Sequence, residues 1–548
     1  MIDFFKNFFT FESAHPLTFV RIDFWIFFAL VYAVFVLIYK RKHVRNLFLL
    51  LASFYFYYKA SGLFVLLLVF STVTDFYLGH YIYNQQEERR RKIGVTISVC
   101  VNLLVLSYFK YAYFFTDTYN ALFHTHHQTF NYLAYWANGF DYNGYFSVDK
   151  IILPVGISFY TFQTISYTVD IYRRKVAPLK SILDFGFYVS FFPQLVAGPI
   201  VRAEEFVPQI LKKTEISKEE FNKAIFLIKK MIFADFIALH FLDKVFDAPE
   251  MHSGFSNLLA LIGYSLQIYG DFSGYTDIAI GVALLMGFHL PVNFNSPYKA
   301  LNCGDFWKRW HISLSTWLKD YLYIPLGGNR NSTLGTFVFS LLFVVILVVA
   351  IDNLAFTFIT GGLLIAGAVV AFYYKPFERY LTTNINIMLT MLIGGLWHGA
   401  SWKFVIWGGL NGLGVVAYKY WRKVSPYEQS KLWITRAWKI AFTFAFITFT
   451  RIFFRGNDME SINLWFAQVA NNMSWDTATE VIRHNNIPLG VILIGYITHW
   501  LPQHWKDYVE HVFAESHYAV KIAIALVVVL ICYQAYSTDI QPFIYFQF

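Results

Sequence analysis

Two histidines stand out because each lies beside tryptophans in an otherwise apolar part of the chain. His398 follows Trp397, precedes Gly399 and is soon followed by Trp402. A neutral imidazole in this setting could take a proton from an attacking hydroxyl, because its pKa lies near working pH. The glycine allows close approach of neighbouring backbones. These residues are also compatible with a buried histidine of purely structural role.

His311 lies in a second polar segment, which runs from residue 307 to 321. The spacing of its large apolar side chains predicts one amphipathic helix over this range, with His311 at the edge of the apolar stripe. The stripe consists of Trp310, Leu314, Trp317 and Tyr321. Basic side chains surround His311: Lys308, Arg309, Lys319 and the nearby Lys299. Such a helix lies at the membrane interface against lipid headgroups, or it re-enters the membrane and receives an anionic cofactor.

Other polar groups in apolar surroundings are candidates for function, since each charge costs about 2.5–3.5 kcal/mol at the centre of a spanning helix. Asp271 and Asp277 are six positions apart and so do not share one helical face. They fit a proton relay or a structural role, and we favour the structural one. Elsewhere in the chain, three histidines lie close together without cysteine or carboxylate partners: His124, His126 and His127. They resemble a solvated loop more than a metal site, and no metal is predicted.

The elements that position these residues follow from composition. Of 548 residues, 57% are hydrophobic and 14% charged, whereas soluble domains have roughly 45–50% apolar and about 25% charged residues. This excludes a soluble globular enzyme. Apolar runs recur along the whole chain, and a spanning helix needs about 20 such residues. We therefore predict an all-α polytopic membrane protein with roughly eleven to fourteen spans, plus re-entrant or interfacial helices.

The net charge of +9 is explained mainly by short basic loops after alternate apolar runs. Examples are Lys40 to Lys42, Arg89 to Lys92 and Arg173 to Lys175. Lysine and arginine in short loops mark the cytoplasmic side, so we expect the amino terminus outside and no cleaved signal peptide. A nucleic-acid partner is not predicted.

Motifs of competing chemistries do not occur in the sequence. It contains no G-x-S-x-G elbow, no H-E-x-x-H pair, no phosphate-binding G-x-x-x-x-G-K-[ST] loop and no G-x-G-x-x-G turn. This removes the main support for a serine hydrolase or an ATP-driven pump. A secondary transporter remains an alternative, because it would use intramembrane ionisable groups as a substrate path, although no inverted repeat is visible.

Five stretches, in this order, resemble one known family. They are LPVGISFYTFQTISYTVDIYR from Leu153, FFPQLVAGPIVR from Phe191, YGDFSGYTDIAIG from Tyr269, FWKRWHISLSTWLKDYLYIPLGGNR from Phe306 and LIGGLWHGASWKFVIWGGLNG from Leu392. They are similar to the membrane-bound O-acyltransferases. Within that family they resemble the bacterial branch that includes the alginate O-acetylation membrane subunit and the teichoic-acid D-alanyl transfer protein.

The resemblance implies a funnel-like helical fold around a short tunnel, with His398 as the catalytic histidine and His311 as the second motif histidine. His311 would orient or hydrogen-bond the thioester end of the donor. Lys308, Arg309 and Lys319 would contact donor phosphates. Residues implied to line or support the tunnel are Trp307, Trp310, Trp397, Trp402, Ser313, Asp271, Asp277 and Asp320.

The resemblance also implies the substrates. The expected donor is a cytoplasmic thioester, acetyl-CoA or an acyl carrier protein, with no permanently bound cofactor. The expected outcome is O-acetylation of an extracytoplasmic polysaccharide through a secreted SGNH-type partner, by a multi-pass protein of the bacterial inner membrane. D-alanyl transfer from a carrier protein to teichoic acid is the alternative.

We predict a single domain over residues 1–548. Two of its features differ from the family pattern. His311 and His398 are 87 positions apart, more than the branch leads us to expect, and an inserted helical hairpin over 332–380 accounts for the excess. Residues 541–548 end in a Phe-x-Tyr-x-x-Phe pattern that resembles the end of small partner subunits of D-alanylation systems. Tyr545 is therefore either an acyl acceptor or an interfacial aromatic anchor.

Overall fold

The computed structural model describes residues 10–12, 16–19, 21–139, 147–196, 198–212, 220, 233–351 and 353–535. All regular elements in these ranges are helices, and no strand occurs among them. The prediction of an all-α membrane protein is confirmed. Tyr545 and the rest of residues 541–548 lie outside the described ranges.

The helices are numbered in chain order. The amino-terminal part contains α1 Ile22–Ile38, α2 Lys42–Ser61, α3 Val65–Asn84, α4 Glu88–Leu106, α5 Ala112–Phe123, α6 Tyr132–Asn138, α7 Ile157–Tyr172, α8 Ile182–Ser190, α9 Phe192–Leu195 and α10 Ala203–Leu211. The middle contains α11 Phe233–Ile237, α12 Asp243–Asp247, α13 Gly254–Leu285, α14 Cys303–Trp307, α15 Ile312–Leu318, α16 Leu334–Ile351, α17 Leu354–Tyr373, α18 Lys375–His398 and α19 Trp402–Val424. The remainder contains α20 Trp433–Thr450, α21 Ile452–Arg455, α22 Met459–Asn471, α23 Trp475–His484, α24 Asn486–Trp500, α25 Gln503–Glu515 and α26 Tyr518–Ala535.

Irregular helical turns connect several of these elements. Turns of 3-10 type occupy Gly62–Phe64, Pro249–Met251 and Pro297–Lys299. Wider π-helical turns occupy Ser107–Tyr111, Ala238–Leu242 and Lys319–Tyr323. Turns of the π type are rare and often occur at functional sites.

The chain divides into two compact units, and each unit positions one histidine. The first unit takes in Met1–Ser98, Phe159–Ser315 and Gln429–Phe548 and contains His311. The second takes in Val99–Ser158 and Thr316–Glu428 and contains His398.

The first unit has α13 as its longest described helix, with 32 residues. Ser253 begins it as a hydrogen-bonding cap, because its hydroxyl accepts from the backbone N–H of Ser256. Most α13 side chains are buried, including Phe272, Ser273 and Tyr275. A helix that is apolar around most of its circumference belongs in the interior of a large protein or membrane bundle.

The second unit contains a tight hairpin of α18 and α19, which glycines make possible. A Cβ atom on Gly395 would overlap the carbonyl oxygen of Phe404, and one on Gly408 would overlap that of Met391. The two backbones therefore touch at a distance that no larger residue allows.

By length and composition, four helical stretches among the described residues could cross a membrane: Lys42–Asn84, Glu88–Phe123, Leu354–Tyr373 and Trp433–Arg455. Shorter apolar helices cover Ile22–Ile38 and Leu334–Val349. The total of eleven to fourteen spans stays a prediction. The range 332–380 contains α16, α17 and the start of α18, which begins at Lys375. That this segment is an insertion also stays a prediction.

One predicted element is wrong. The spacing from residue 307 to 321 predicts a single helix, but the structure ends α14 at Trp307 and begins α15 at Ile312. His311, between them, has a left-handed backbone with φ of 45°, which no continuous α-helix contains. Three residues of the apolar stripe are nevertheless buried: Trp310, Leu314 and Trp317.

Candidate active site

His398 is the last residue of α18, at the point where the hairpin turns. Gly399 takes an extended conformation and ends the helix, and α19 begins at Trp402. A Cβ atom on Gly399 would collide with the ring of Phe404. Close packing of the turn therefore fixes where the helix ends and which side chain occupies its last position.

The imidazole of His398 is held between two indole rings. It meets Trp397 at 4.9 Å between ring centroids and Trp407 at 5.0 Å, both with the rings nearly perpendicular. Edge-to-face geometry is a favoured aromatic arrangement. The side chain is 3% exposed, so an apolar cage surrounds the ring.

Side chains of the second unit also hold the backbone around His398. Nζ of Lys110 donates to the carbonyl oxygens of Trp397, at 2.7 Å, and His398, at 3.2 Å. The hydroxyl of Tyr111 donates to the carbonyl of Leu396 at 3.0 Å. The last carbonyls of a helix have no partner within it, and here three of them accept hydrogen bonds from these two side chains.

Trp402, which was predicted to line or support the tunnel, packs its ring against Phe114, and its Nε1 donates to Thr118. Trp407, which was not predicted, supplies the second indole beside His398. A role for Trp402 in lining a tunnel stays a prediction.

His311, in the first unit, is completely buried, and its side chain is anchored by Asn293. Oδ1 of Asn293 lies 3.2 Å from Nδ1 of His311 and also accepts from the backbone N–H of Ser313, at 3.1 Å, and from its hydroxyl, at 2.9 Å. Two donors from Ser313 identify this amide atom as oxygen. The proton of a neutral His311 ring therefore sits on Nδ1, and Nε2 is the ring's acceptor.

The protonation state of His311 follows from its burial. His311 lies outside the four candidate spans, and burial lowers its pKa to about 3. The imidazole is therefore neutral at physiological pH. Phe272 of α13 meets the ring edge-on at 4.7 Å, which adds an apolar contact and further excludes water.

Ser313 and Trp310 support this arrangement. The Ser313 hydroxyl accepts from the backbone N–H of Ile200 while donating to Asn293. Trp310 stacks on Phe306 with ring centroids 5.6 Å apart. The guanidinium of Arg451 lies 4.4 Å above the Trp310 ring although the arginine is only 4% exposed, a cation–π geometry.

The predicted donor-binding cations differ in their surroundings. Arg309 is paired with Asp305 at 3.0 Å, whereas Lys308 and Lys319 are exposed. Asp271 and Asp277 are half-buried on α13, Trp307 packs edge-on against Phe306, and Asp320 belongs to the π turn after α15. Within the described part of the chain, no group of three or more His, Cys, Asp or Glu side chains is arranged to hold a metal ion.

Sequence reasoning missed Lys110 and Trp407. A usable signal was present for Lys110, because it is the only charged residue in the apolar run from Gly94 to Phe115 and such residues are functional candidates. For Trp407 there was none, because a tryptophan in an apolar helix is unremarkable by composition.

Comparison with known proteins agrees with this architecture. Residues 173–347, which include His311, match the family described as MBOAT, membrane-bound O-acyltransferase family. The chain is 34% identical to the peptidoglycan O-acetyltransferase of Helicobacter pylori over 453 residues, 77% of this chain and 73% of that protein. It is 32% identical to the probable alginate O-acetylase AlgI of Pseudomonas aeruginosa over 463 residues, 83% and 76% of the two chains. It is 28% identical to the teichoic acid D-alanyltransferase of Bacillus subtilis over 321 residues, 56% and 70% respectively.

The helical membrane fold and the similarity to these proteins identify an integral membrane acyltransferase. The chain belongs to the membrane-bound O-acyltransferase family. This confirms the family resemblance and the assignment as an enzyme, and it leaves the transporter alternative without support.

Proposed function

We propose that this protein takes an acetyl group from a cytoplasmic thioester, acetyl-CoA or an acylated carrier protein, for O-acetylation of an extracytoplasmic polysaccharide. The proposal includes a secreted SGNH-type partner and residence in the bacterial inner membrane. Two of the relatives compared above are named for O-acetylation of envelope or extracellular polymers. The observation that carries the proposal is His398, a buried imidazole fixed at a helix end in a family of acyltransferases.

In the proposed reaction, His398 acts as general base on the acceptor hydroxyl. The hydroxyl oxygen attacks the thioester carbonyl while its proton moves to the imidazole. The tetrahedral intermediate then collapses, the C–S bond breaks, and the proton passes to the departing thiolate. Positioned proton transfer of this kind accelerates a reaction by about 10²–10⁴-fold.

His311 takes a different part in this proposal. Its neutral ring carries hydrogen on Nδ1, so Nε2 accepts hydrogen bonds and does not donate them. It therefore suits an amide N–H group of the donor's pantetheine arm better than the thioester carbonyl. This narrows the expectation that His311 contacts the thioester end.

The test is donor consumption by purified protein supplied with radiolabelled acetyl-CoA and a polysaccharide that provides the acceptor hydroxyl. Wild-type protein is expected to cleave the thioester, and His398→Gln to lose activity by about 10²–10⁴-fold. The matched control is His484→Gln, an exposed histidine at the end of α23. Equal thioester loss by wild type and His398→Gln would reject the assigned base.

D-alanyl transfer is the second candidate, because the teichoic acid D-alanyltransferase of Bacillus subtilis is among the relatives. The same assay with a D-alanylated carrier protein separates the two. Consumption of that donor, with acetyl-CoA left intact, would replace acetyl by D-alanyl in the proposal.

A further inference from the structure

Lys110 is a half-buried charged residue of the second unit. It belongs to the π-helical turn Ser107–Tyr111, which joins α4 to α5 within the membrane-length stretch Glu88–Phe123. An ionisable group at the centre of a spanning helix costs about 2.5–3.5 kcal/mol on insertion scales unless it has a partner. A compensating interaction must therefore exist.

The compensation is the carboxyl end of α18. The amino group of Lys110 contacts the carbonyl oxygens of Trp397 and His398 and, at 3.4 Å, the hydroxyl of Ser158. It also lies 5.9 Å from the centre of the Trp397 ring. Helix carboxyl ends carry partial negative charge and unsatisfied carbonyls, so a lysine there is favoured electrostatically.

Two consecutive residues of the π turn serve the same helix end. Lys110 and Tyr111 both reach α18, and together they cap the carbonyls of three successive residues, Leu396 to His398. The end of α18 is therefore held by two side chains from one short segment.

From these contacts we propose that Lys110 is a positioning residue for acyl transfer, holding the last turn of α18 so that His398 keeps its place between Trp397 and Trp407. This rests on the proposed function of His398 as the base. Lys110 acts through the backbone of His398: its amino group is engaged by oxygens of the protein itself, and no contact with the reacting atoms is required.

Loss of the cap has a specific consequence. Without Lys110, the carbonyls of Trp397 and His398 lose their half-buried donor, and the final turn is held less firmly beside the extended Gly399. A displacement of about 1 Å at a catalytic group can cost about 10²-fold in rate. Donor binding does not depend on this turn in the proposal, so kcat changes and KM does not.

The test compares Lys110→Met, Lys110→Arg and the exposed control Lys92→Met, which lies on α4. Lys110→Met is expected to lower kcat for acetyl-CoA consumption by up to about 100-fold with an unchanged KM. Lys110→Arg keeps a long cationic donor and is expected to recover much of the lost kcat. Lys92→Met is expected to match wild type.

A second measurement is independent of turnover. Hydrogen exchange of the peptide covering residues 395–402 is expected to speed up in Lys110→Met and to stay unchanged in Lys92→Met. If wild-type protein consumes no acetyl thioester, the proposed donor is wrong, and the exchange result alone then decides whether Lys110 holds the turn.

The proposal is overturned by any of three results. These are a wild-type kcat in Lys110→Met, a loss of kcat that only follows a loss of folded protein, or unchanged exchange at residues 395–402. Should Lys110→Met fail to fold, Tyr111→Phe removes the neighbouring cap on Leu396. Wild-type exchange and kcat in Tyr111→Phe, with no recovery in Lys110→Arg, would likewise overturn it.

Discussion

The two histidines are held in opposite ways. His311 is anchored through its ring, by Asn293 at Nδ1, on a backbone with positive φ. His398 is anchored through its main chain, by Lys110 at its carbonyl, while its ring touches indole edges. The first arrangement fixes a tautomer and the second fixes a position. A fixed acceptor suits substrate orientation, whereas a positioned ring suits repeated proton transfer.

The largest effect is expected when the two histidines are replaced, one at a time and together. His398→Gln is expected to lose activity by about 10²–10⁴-fold, because it removes the base, and His311→Gln is expected to lose less. The double variant should lose about the product of the two single losses, because His311 orients the donor and His398 takes the proton. Thioester consumption measures all three. A larger loss in His311→Gln than in His398→Gln would reverse the two roles.

The next effect concerns the anchor of His311. Asn293→Ala leaves three buried donors without their common acceptor: Nδ1 of His311 and the N–H and hydroxyl of Ser313. Each unsatisfied group costs about 1–3 kcal/mol, so we expect a lower thermal unfolding temperature together with reduced activity. Asn295→Ala, at an exposed neighbouring position, is the control. Equal unfolding temperatures for both variants would show that the ring is held by something else.

These anchors also show where prediction from sequence succeeds. Composition and apolar runs predict the helical membrane class, because only helices and closed β-barrels satisfy their backbone hydrogen bonds within lipid. Both histidines were identified because polar residues are rare in apolar stretches. The resemblance then assigned their roles.

Long-range contacts explain what was missed. The break at His311 depends on Asn293, which lies 18 positions upstream, so local periodicity predicts an unbroken helix. The cap on His398 comes from Lys110, 288 positions away. Trp402 and Trp407 both follow His398 in the sequence, and sequence alone does not show that Trp407 is the one that contacts the ring.

A smaller and pH-dependent effect follows from the buried neutral ring. The pKa of His311 falls from 6.5 to about 3 through burial, so between these values the unfolded chain binds a proton that the folded protein does not. Stability therefore decreases as pH drops below about 6.5, by up to about 1.4 kcal/mol per pH unit. Above that pH, His311 contributes no slope.

Thermal unfolding in detergent from pH 7.5 to 4.5 measures this, with His311→Gln as the reference. Below pH 6.5, the unfolding temperature of the wild type is expected to fall more steeply with decreasing pH than that of the variant. Parallel curves would mean that His311 is protonated inside the folded protein.

The smallest effect concerns the two tryptophans after His398. Trp407→Phe keeps an aromatic ring but withdraws part of the edge-on contact at 5.0 Å, and such pairs contribute about 0.5–1.5 kcal/mol. We expect kcat to fall by about two- to tenfold, because the base is held less firmly while its ability to accept a proton is unchanged. The ring of Trp402 contacts Phe114 instead, so Trp402→Phe should leave kcat nearly unchanged. A larger effect of Trp402→Phe would mean that the indole rings beside His398 do not position it. The proposed contrast between the two histidines would then be wrong for His398.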